Sequence, residues 1–163
     1  MKDPAGALAA VRARVDAAAR SAGRDPAEVA LLAVSKTWPV ADVVALAELG
    51  QREFAENKVQ DLVAKAEELA HLDLRWHLVG QLQRNKATAV VGVGAVVQSV
   101  DRVSLVERLA GVAERAELVT EVFVQVDLGG PEGGPPPGAG WHRSTPPSSP
   151  TRWLATRRCG CAG

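Results

Sequence analysis

The chain has 163 residues, which gives room for one domain with a substantial hydrophobic core. Its 19 basic and 19 acidic residues give zero net charge, and no Lys/Arg cluster indicates a nucleic-acid-binding surface. No apolar run approaches the roughly 20 residues that cross a bilayer. The first ten residues lack the pattern of a secretory signal, so we expect a cytoplasmic protein that has no membrane segment.

Helices and strands are predicted to alternate along most of the chain. The first helix runs from about Pro4 to Ala22, and its apolar face holds Leu8, Val11, Val15 and Ala18 or Ala19. Strands are predicted at residues 31–35, 53–56, 75–79, 96–99 and 122–128. Further helices are predicted at residues 39–49, 58–70, 84–91 and 102–117, and Asp101 is the expected N-cap of the last of these.

This alternation indicates an α/β fold with a parallel sheet and right-handed crossovers. An initial helix followed by repeated βα units is typical of a barrel or of a doubly wound sheet. No G-x-G-x-x-G motif follows the first strand, so a dinucleotide-binding fold has no support. A complete (β/α)8 barrel usually takes about 250 residues, roughly twice the part of this chain that carries a periodic pattern.

The composition changes near Gly129. Residues 1–129 carry 15 Lys and Arg against 18 Asp and Glu, whereas residues 130–163 carry four Arg against one Glu. The second segment also holds seven of the ten prolines, and Leu154 is its only Leu, Ile or Val. It cannot bury enough apolar surface to offset its ordering entropy, so we predict a disordered tail. The tail's Cys159 and Cys161 form a single C-x-C pair, which is too small for a metal site, and no metal is expected.

Lys36 is the candidate functional residue that the pattern indicates most directly. It closes the short run of residues 31–35, and Thr37, Trp38 and Pro39 follow it. A lysine at the carboxyl end of a parallel strand lies where α/β sheets and barrels place their chemistry. Partial desolvation there would leave it able to attack a carbonyl as the free amine. The alternative, with similar weight, is a lysine that ends the strand and points into water.

Five segments of the sequence together resemble the pyridoxal-phosphate homeostasis proteins, the YggS/PROSC family. They are LLAVSKT at residues 31–37, FAENKVQ at 54–60, WHLVGQLQRNK at 76–86, QSVD at 98–101 and VQVDL at 124–128. The resemblance covers roughly residues 5–128. It implies a TIM-barrel-like (β/α) fold similar to the N-terminal domain of alanine racemase, here incomplete with about five of eight βα units.

By this resemblance, the chain binds pyridoxal 5'-phosphate (PLP) as a Schiff base on Lys36 and takes part in intracellular PLP homeostasis. Asn57, His77 and Ser99 are the other candidate cofactor-binding residues, in or just after three successive strands. Each also has a structural alternative. Asn57 could cap the following helix, His77 could be a hydrogen-bonded core histidine, and Ser99 could be an ordinary loop residue.

The sequence departs from the family pattern in two places. Ala55 replaces the usual glycine of the second motif, and nothing after Leu128 matches the further strands or the phosphate-binding segment of the family. Residues 130–163 have the bias of a GC-rich coding sequence read in a shifted frame, which favours a truncated or frameshifted member. Five parallel strands cannot close a barrel, so we expect open edges on the fifth and first strands, low stability and weak cofactor binding.

Three functions compete. The first is a PLP carrier without a reaction of its own, with PLP-dependent apo-enzymes as candidate partners. The second is an amino-acid racemase, which is disfavoured because racemases of the related barrel use a tyrosine base and the chain contains no tyrosine. The third is a non-functional fragment or an interaction module with exposed sheet edges. Family members are usually monomeric, whereas this chain could self-associate through those edges.

Overall fold

A computed structural model of the chain describes residues 3–126. The predicted tail at residues 130–163 and the end of the predicted fifth strand lie outside the described residues. The described chain forms two compact units, residues 3–77 and 78–126. Its strands follow chain order in one sheet, β1-β2-β3-β4-β5, and helices alternate with them, so the α/β prediction is confirmed.

The helices and strands begin and end close to the predicted positions. The helices are α1 (Pro4–Ser21), α2 (Val40–Glu48), α3 (Val59–Glu68), α4 (Ala87–Gly92) and α5 (Val103–Arg115). The strands are β1 (Ala33–Val34), β2 (Glu53–Glu56), β3 (Arg75–Leu78), β4 (Val96–Val100) and β5 (Val122–Val124). The helix predicted at residues 84–91 is a single 3-10 turn, Arg84–Lys86, followed by the short α4.

The first unit is built on α1 and the first two strands. Asp3 caps α1 by accepting a hydrogen bond from the Gly6 amide at 2.9 Å, and Pro4 occupies the first turn, where its missing N–H costs nothing. Leu8 and Ala19 are buried as the helical period predicts, whereas Val11 is 39% exposed. The apolar side of α1 is therefore narrower than the sequence pattern suggests.

Strand β2 divides its side chains between two faces of the sheet. It pairs in parallel with β1, in the register Ala33 opposite Phe54. Since side chains alternate along a strand, Phe54 and Glu56 share one face, and Glu53 takes the other. The Phe54 ring lies 5.9 Å from the Trp76 ring, centroid to centroid, in a tilted arrangement that contributes to the core of the unit.

In the second unit, α5 packs through its predicted apolar stripe. Leu105 and Leu109 of this stripe are fully buried. The prediction that Asp101 caps this helix is wrong. The N-cap position belongs to Arg102, which makes no side-chain cap hydrogen bond. The Asp101 carboxylate instead accepts hydrogen bonds from Arg102 Nη1 and from Gln81 Nε2. A hydrogen bond from the charged Arg102 is stronger than one from the neutral N–H groups of the first turn of α5.

Strands β1 and β5 stand at the two ends of the strand order. Valines on both remain in contact with solvent, since Val34 is 47% and Val124 is 44% exposed. The strand order gives β1 and β5 one neighbouring strand each among the described residues, which agrees with the expectation that these two strands have open edges. Within the part of the chain that the structure describes, no helix combines the length and the apolar character that a membrane crossing requires.

Candidate functional site

Lys36 lies in a tight turn at the carboxyl end of β1. The Ser35 amide donates to the Ala55 carbonyl at 2.8 Å, which extends the parallel ladder one residue beyond β1. The chain then reverses, and the Trp38 amide donates back to the Ser35 carbonyl at 3.1 Å. Lys36 and Thr37 are the two central residues of this turn, so the backbone on both sides of Lys36 is fixed by hydrogen bonds.

Thr37 adopts a left-handed backbone conformation, with φ of 68°. This region is uncommon for residues other than glycine, and it is unusual for a β-branched side chain. Such strain persists only where the surroundings hold the conformation, and it is concentrated at functional sites. The turn that carries Lys36 is therefore a strained turn, which the sequence pattern did not indicate.

The side chain of Lys36 is exposed. Among the described residues, none makes a hydrogen bond or an ion pair with its amine. The expected partial desolvation is therefore not found, and in this respect Lys36 fits the alternative of a lysine that points into water. Its neighbour Ser35 is buried, so the two side chains take opposite sides of the strand end.

A buried polar network lies directly behind the turn. Lys65 on α3 donates from Nζ to the Ser35 carbonyl at 2.9 Å and to Glu56 Oε1 at 2.6 Å. The Ser35 hydroxyl donates to the same Glu56 oxygen at 2.8 Å. Glu56 is fully buried and Lys65 is only 9% exposed. The second carboxylate oxygen of Glu56, Oε2, has no hydrogen-bond partner among the described residues.

Asn57 follows β2 as Lys36 follows β1, so both residues lie at the carboxyl edge of two paired parallel strands. The Asn57 side chain is exposed. The alternative role of Asn57 as a helix cap is wrong, because the N-cap position of α3 belongs to Lys58, without a side-chain cap hydrogen bond. An exposed amide beside the lysine turn remains available as both donor and acceptor.

His77 is a buried residue of β3 with a carboxylate partner. Its Nε2 atom lies 2.6 Å from Glu53 Oε2, and Arg75 Nη1 lies 3.6 Å from Glu53 Oε1. The ring is 4% exposed and has a polar partner, as the alternative of a hydrogen-bonded core histidine predicts. The contact with Glu53 fixes the position of the ring in β3.

Ser99 belongs to the second unit, where it is buried in β4. Its hydroxyl donates to the Gly80 carbonyl at 2.6 Å, which joins the end of β4 to the loop that follows β3. The structure thus brings Lys36 and Asn57 to one sheet edge in the first unit and gives His77 and Ser99 well-defined protein partners.

Among residues 3–126 there is no group of three or more His, Cys, Asp or Glu side chains placed to hold a metal ion.

Sequence reasoning missed the residues that support the lysine turn. The pattern predicts only a strand or a helix at Ser35, Glu56 and Lys65, and it does not pair Glu53 with His77. One signal was present, because Glu56 is a charged residue at the end of a strand whose preceding residues Phe54 and Ala55 are apolar and buried. A charge in such a position needs a buried partner, and Lys65 supplies it.

Comparison with known proteins places these features in a family, although no family model matches the chain. The pyridoxal phosphate homeostasis protein of Pseudomonas aeruginosa is 42% identical over 123 residues, which are 76% of this chain and 54% of that protein. The protein of the same name from Escherichia coli K12 is 42% identical over 131 residues, 78% of this chain and 56% of the relative. The chain therefore spans about half the length of these curated relatives.

Solved structures give the same result. PipY of Synechococcus elongatus without PLP is 38% identical, with a TM-score of 0.71 over 84% of this chain and 58% of PipY. PipY with PLP bound is 40% identical, with a TM-score of 0.63 over 80% of this chain and 57% of PipY. The prediction of a partial barrel is confirmed by this match. Over about half of its relatives' length, the chain belongs to the YggS/PROSC family of pyridoxal phosphate homeostasis proteins.

Proposed function

We propose that the chain binds PLP through Lys36 and serves intracellular PLP homeostasis as a carrier rather than as a catalyst. The observation that supports this most strongly is the position of Lys36, an exposed amine on a strained turn at the carboxyl end of β1. That edge is where parallel α/β folds carry their ligands. PipY, a homologue with the same fold over most of this chain, has been solved with PLP bound.

The described residues fit such a ligand on three counts. The cofactor supplies an aldehyde, which is the group that a lysine amine can attack. Lys36 offers an amine that no described residue engages, and Asn57 offers an exposed amide at the same sheet edge. His77 is held by Glu53, which fixes its ring in β3 of the same unit. Ser99 lies in the second unit, and its contact with the cofactor stays a prediction from the sequence.

Titration of the purified chain with PLP, followed by visible absorbance, tests the proposal. We expect a new band, distinct from that of the free aldehyde, which is lost in Lys36→Ala and in the charge-preserving Lys36→Arg. Lys58→Ala is the matched control, because Lys58 is also an exposed lysine at the carboxyl edge of a strand. A band of equal intensity in wild type and Lys36→Ala would refute the assignment of Lys36.

The finer points of this proposal rest on the sequence. A cytoplasmic location and transfer of PLP to apo-enzymes stay predictions. Self-association is supported by the exposure of Val34 and Val124 on the terminal strands of the described sheet. Light scattering across a concentration series measures it directly. A monomer at every concentration would contradict this point without affecting the assignment of Lys36.

A further inference from the structure

We infer that the buried ion pair between Glu56 and Lys65 is a positioning device for Lys36. It acts by clamping the peptide that precedes Lys36 and so holds the strained turn in place. The inference rests on the proposed function, because it takes Lys36 to be the residue that engages PLP. Neither Glu56 nor Lys65 needs to touch the ligand, so both are positioning residues.

The geometry converges on a single carbonyl group. The Ser35 carbonyl accepts one hydrogen bond from Trp38, which closes the turn, and a second from the Lys65 ammonium. The Ser35 side chain is tied to Glu56, the residue that also holds Lys65. The residue just before Lys36 is thus fixed through its backbone from α3 and through its hydroxyl from β2. A hydrogen bond from a charged donor is stronger than one between neutral groups.

Stability alone does not explain this ion pair. Moving two charges out of water costs more than their attraction usually returns, and apolar replacements of similar volume are often neutral or stabilising. The pair at Glu56 and Lys65 is also incompletely satisfied, because Glu56 Oε2 has no partner among the described residues. What the pair provides that apolar side chains cannot is a donor to the Ser35 carbonyl.

The turn needs such a clamp because of Thr37. A β-branched residue at a φ of 68° favours a return to the extended region, which would open the turn and swing Lys36 away from the edge of β1. The clamp resists this change and fixes the backbone of Lys36, although its side chain remains exposed. Only the side-chain rotamers of Lys36 then have to be restricted when its amine engages a ligand, which lowers the entropic cost of binding.

A double variant separates positioning from stability. Lys65→Met alone leaves a buried unpaired carboxylate and is expected to unfold the unit. Lys65→Met combined with Glu56→Gln removes both charges at nearly constant volume, so the urea unfolding midpoint should stay close to that of wild type. The donor to the Ser35 carbonyl is still missing in this variant. Its matched control is Asp16→Asn with Arg20→Met, which removes an ion pair from the exposed face of α1.

Two readouts are measured on the full chain. Hydrogen exchange at the Trp38 amide reports the turn directly and needs no ligand. We expect the double variant to speed this exchange and to weaken the Lys36-dependent binding of PLP, each by about tenfold, while the exposed-pair control changes neither. Exchange of the α3 amides, such as that of Leu62, should stay as in wild type.

The outcomes distinguish this inference from the proposed function. Unchanged Trp38 exchange in the folded double variant overturns the inference, and so does faster exchange with undiminished PLP affinity. If wild type itself binds no PLP through Lys36, the proposed function fails. Faster Trp38 exchange in the double variant would then still support the clamp on the turn. Faster exchange together with weaker binding supports both.

Discussion

Replacing Thr37 by glycine should stabilise the chain and keep the lysine turn in place. Holding an L-residue in the left-handed region costs about 1–2 kcal/mol. Glycine removes that cost but loses about 0.5–1 kcal/mol more backbone entropy on folding. The Thr37 side chain is exposed, and no described residue hydrogen-bonds to it, so the substitution removes no other interaction. The expected net effect is an increase of about 0.5–1 kcal/mol in the free energy of unfolding.

Urea denaturation followed by circular dichroism measures this effect. Glu117→Gly is the matched control, because Glu117 is the other described non-glycine residue with positive φ, 54°, and it follows α5 in the second unit. Both variants should raise the unfolding midpoint, and Thr37→Gly should bind PLP at least as well as wild type, since glycine adopts the positive φ of the lysine turn without strain. A midpoint that is unchanged or lower in Thr37→Gly, with the expected rise in Glu117→Gly, would refute the assignment of strain to the lysine turn.

Two further substitutions test the packing and the hydrogen bonds of each unit. Phe54→Ala should lower the free energy of unfolding by about 3–5 kcal/mol because the ring is fully buried, whereas Phe123→Ala, at a 44% exposed residue, should cost far less. Equal losses for the two would contradict the described core. Ser99→Ala removes the bond to the Gly80 carbonyl and should cost about 1–3 kcal/mol, against little change for Ser21→Ala on exposed α1. Thermal unfolding of these variants gives both comparisons, and a neutral Ser99→Ala would mean that water replaces the bond.

Most of the fold could be predicted from the sequence because it depends on hydrophobic periodicity. The strand predicted at residues 53–56 coincides with β2, and the apolar stripe predicted for α5 includes Leu105 and Leu109, which are buried. The ends of the elements were less accurate, since capping depends on tertiary partners. Asp101 has the side chain of a good N-cap, but it contacts Arg102 and Gln81 instead.

The candidate site was only partly predictable. Lys36 and Asn57 could be found because they follow strands whose pattern is clear, and the family motifs contain them. The clamp on the turn could not be found in this way, since it depends on a contact between Ser35 and Lys65, thirty residues apart, and on the backbone angle of Thr37. Neither the hydrophobic periodicity of the sequence nor its amino-acid composition carries that information. Exposure of Lys36 also depends on what covers β1, which a local pattern does not record.

Reduction of the PLP complex with borohydride, followed by peptide mapping, is the most direct measurement of the central claim. The reagent fixes PLP on whichever lysine has bonded to the aldehyde, and mass spectrometry of the digest identifies that lysine. We expect the label on the peptide that contains Lys36, and no label at that position in Lys36→Arg. Label spread evenly over Lys36 and Lys58 in wild type, or absent from Lys36, would contradict the claim that the strained turn at the end of β1 holds the cofactor.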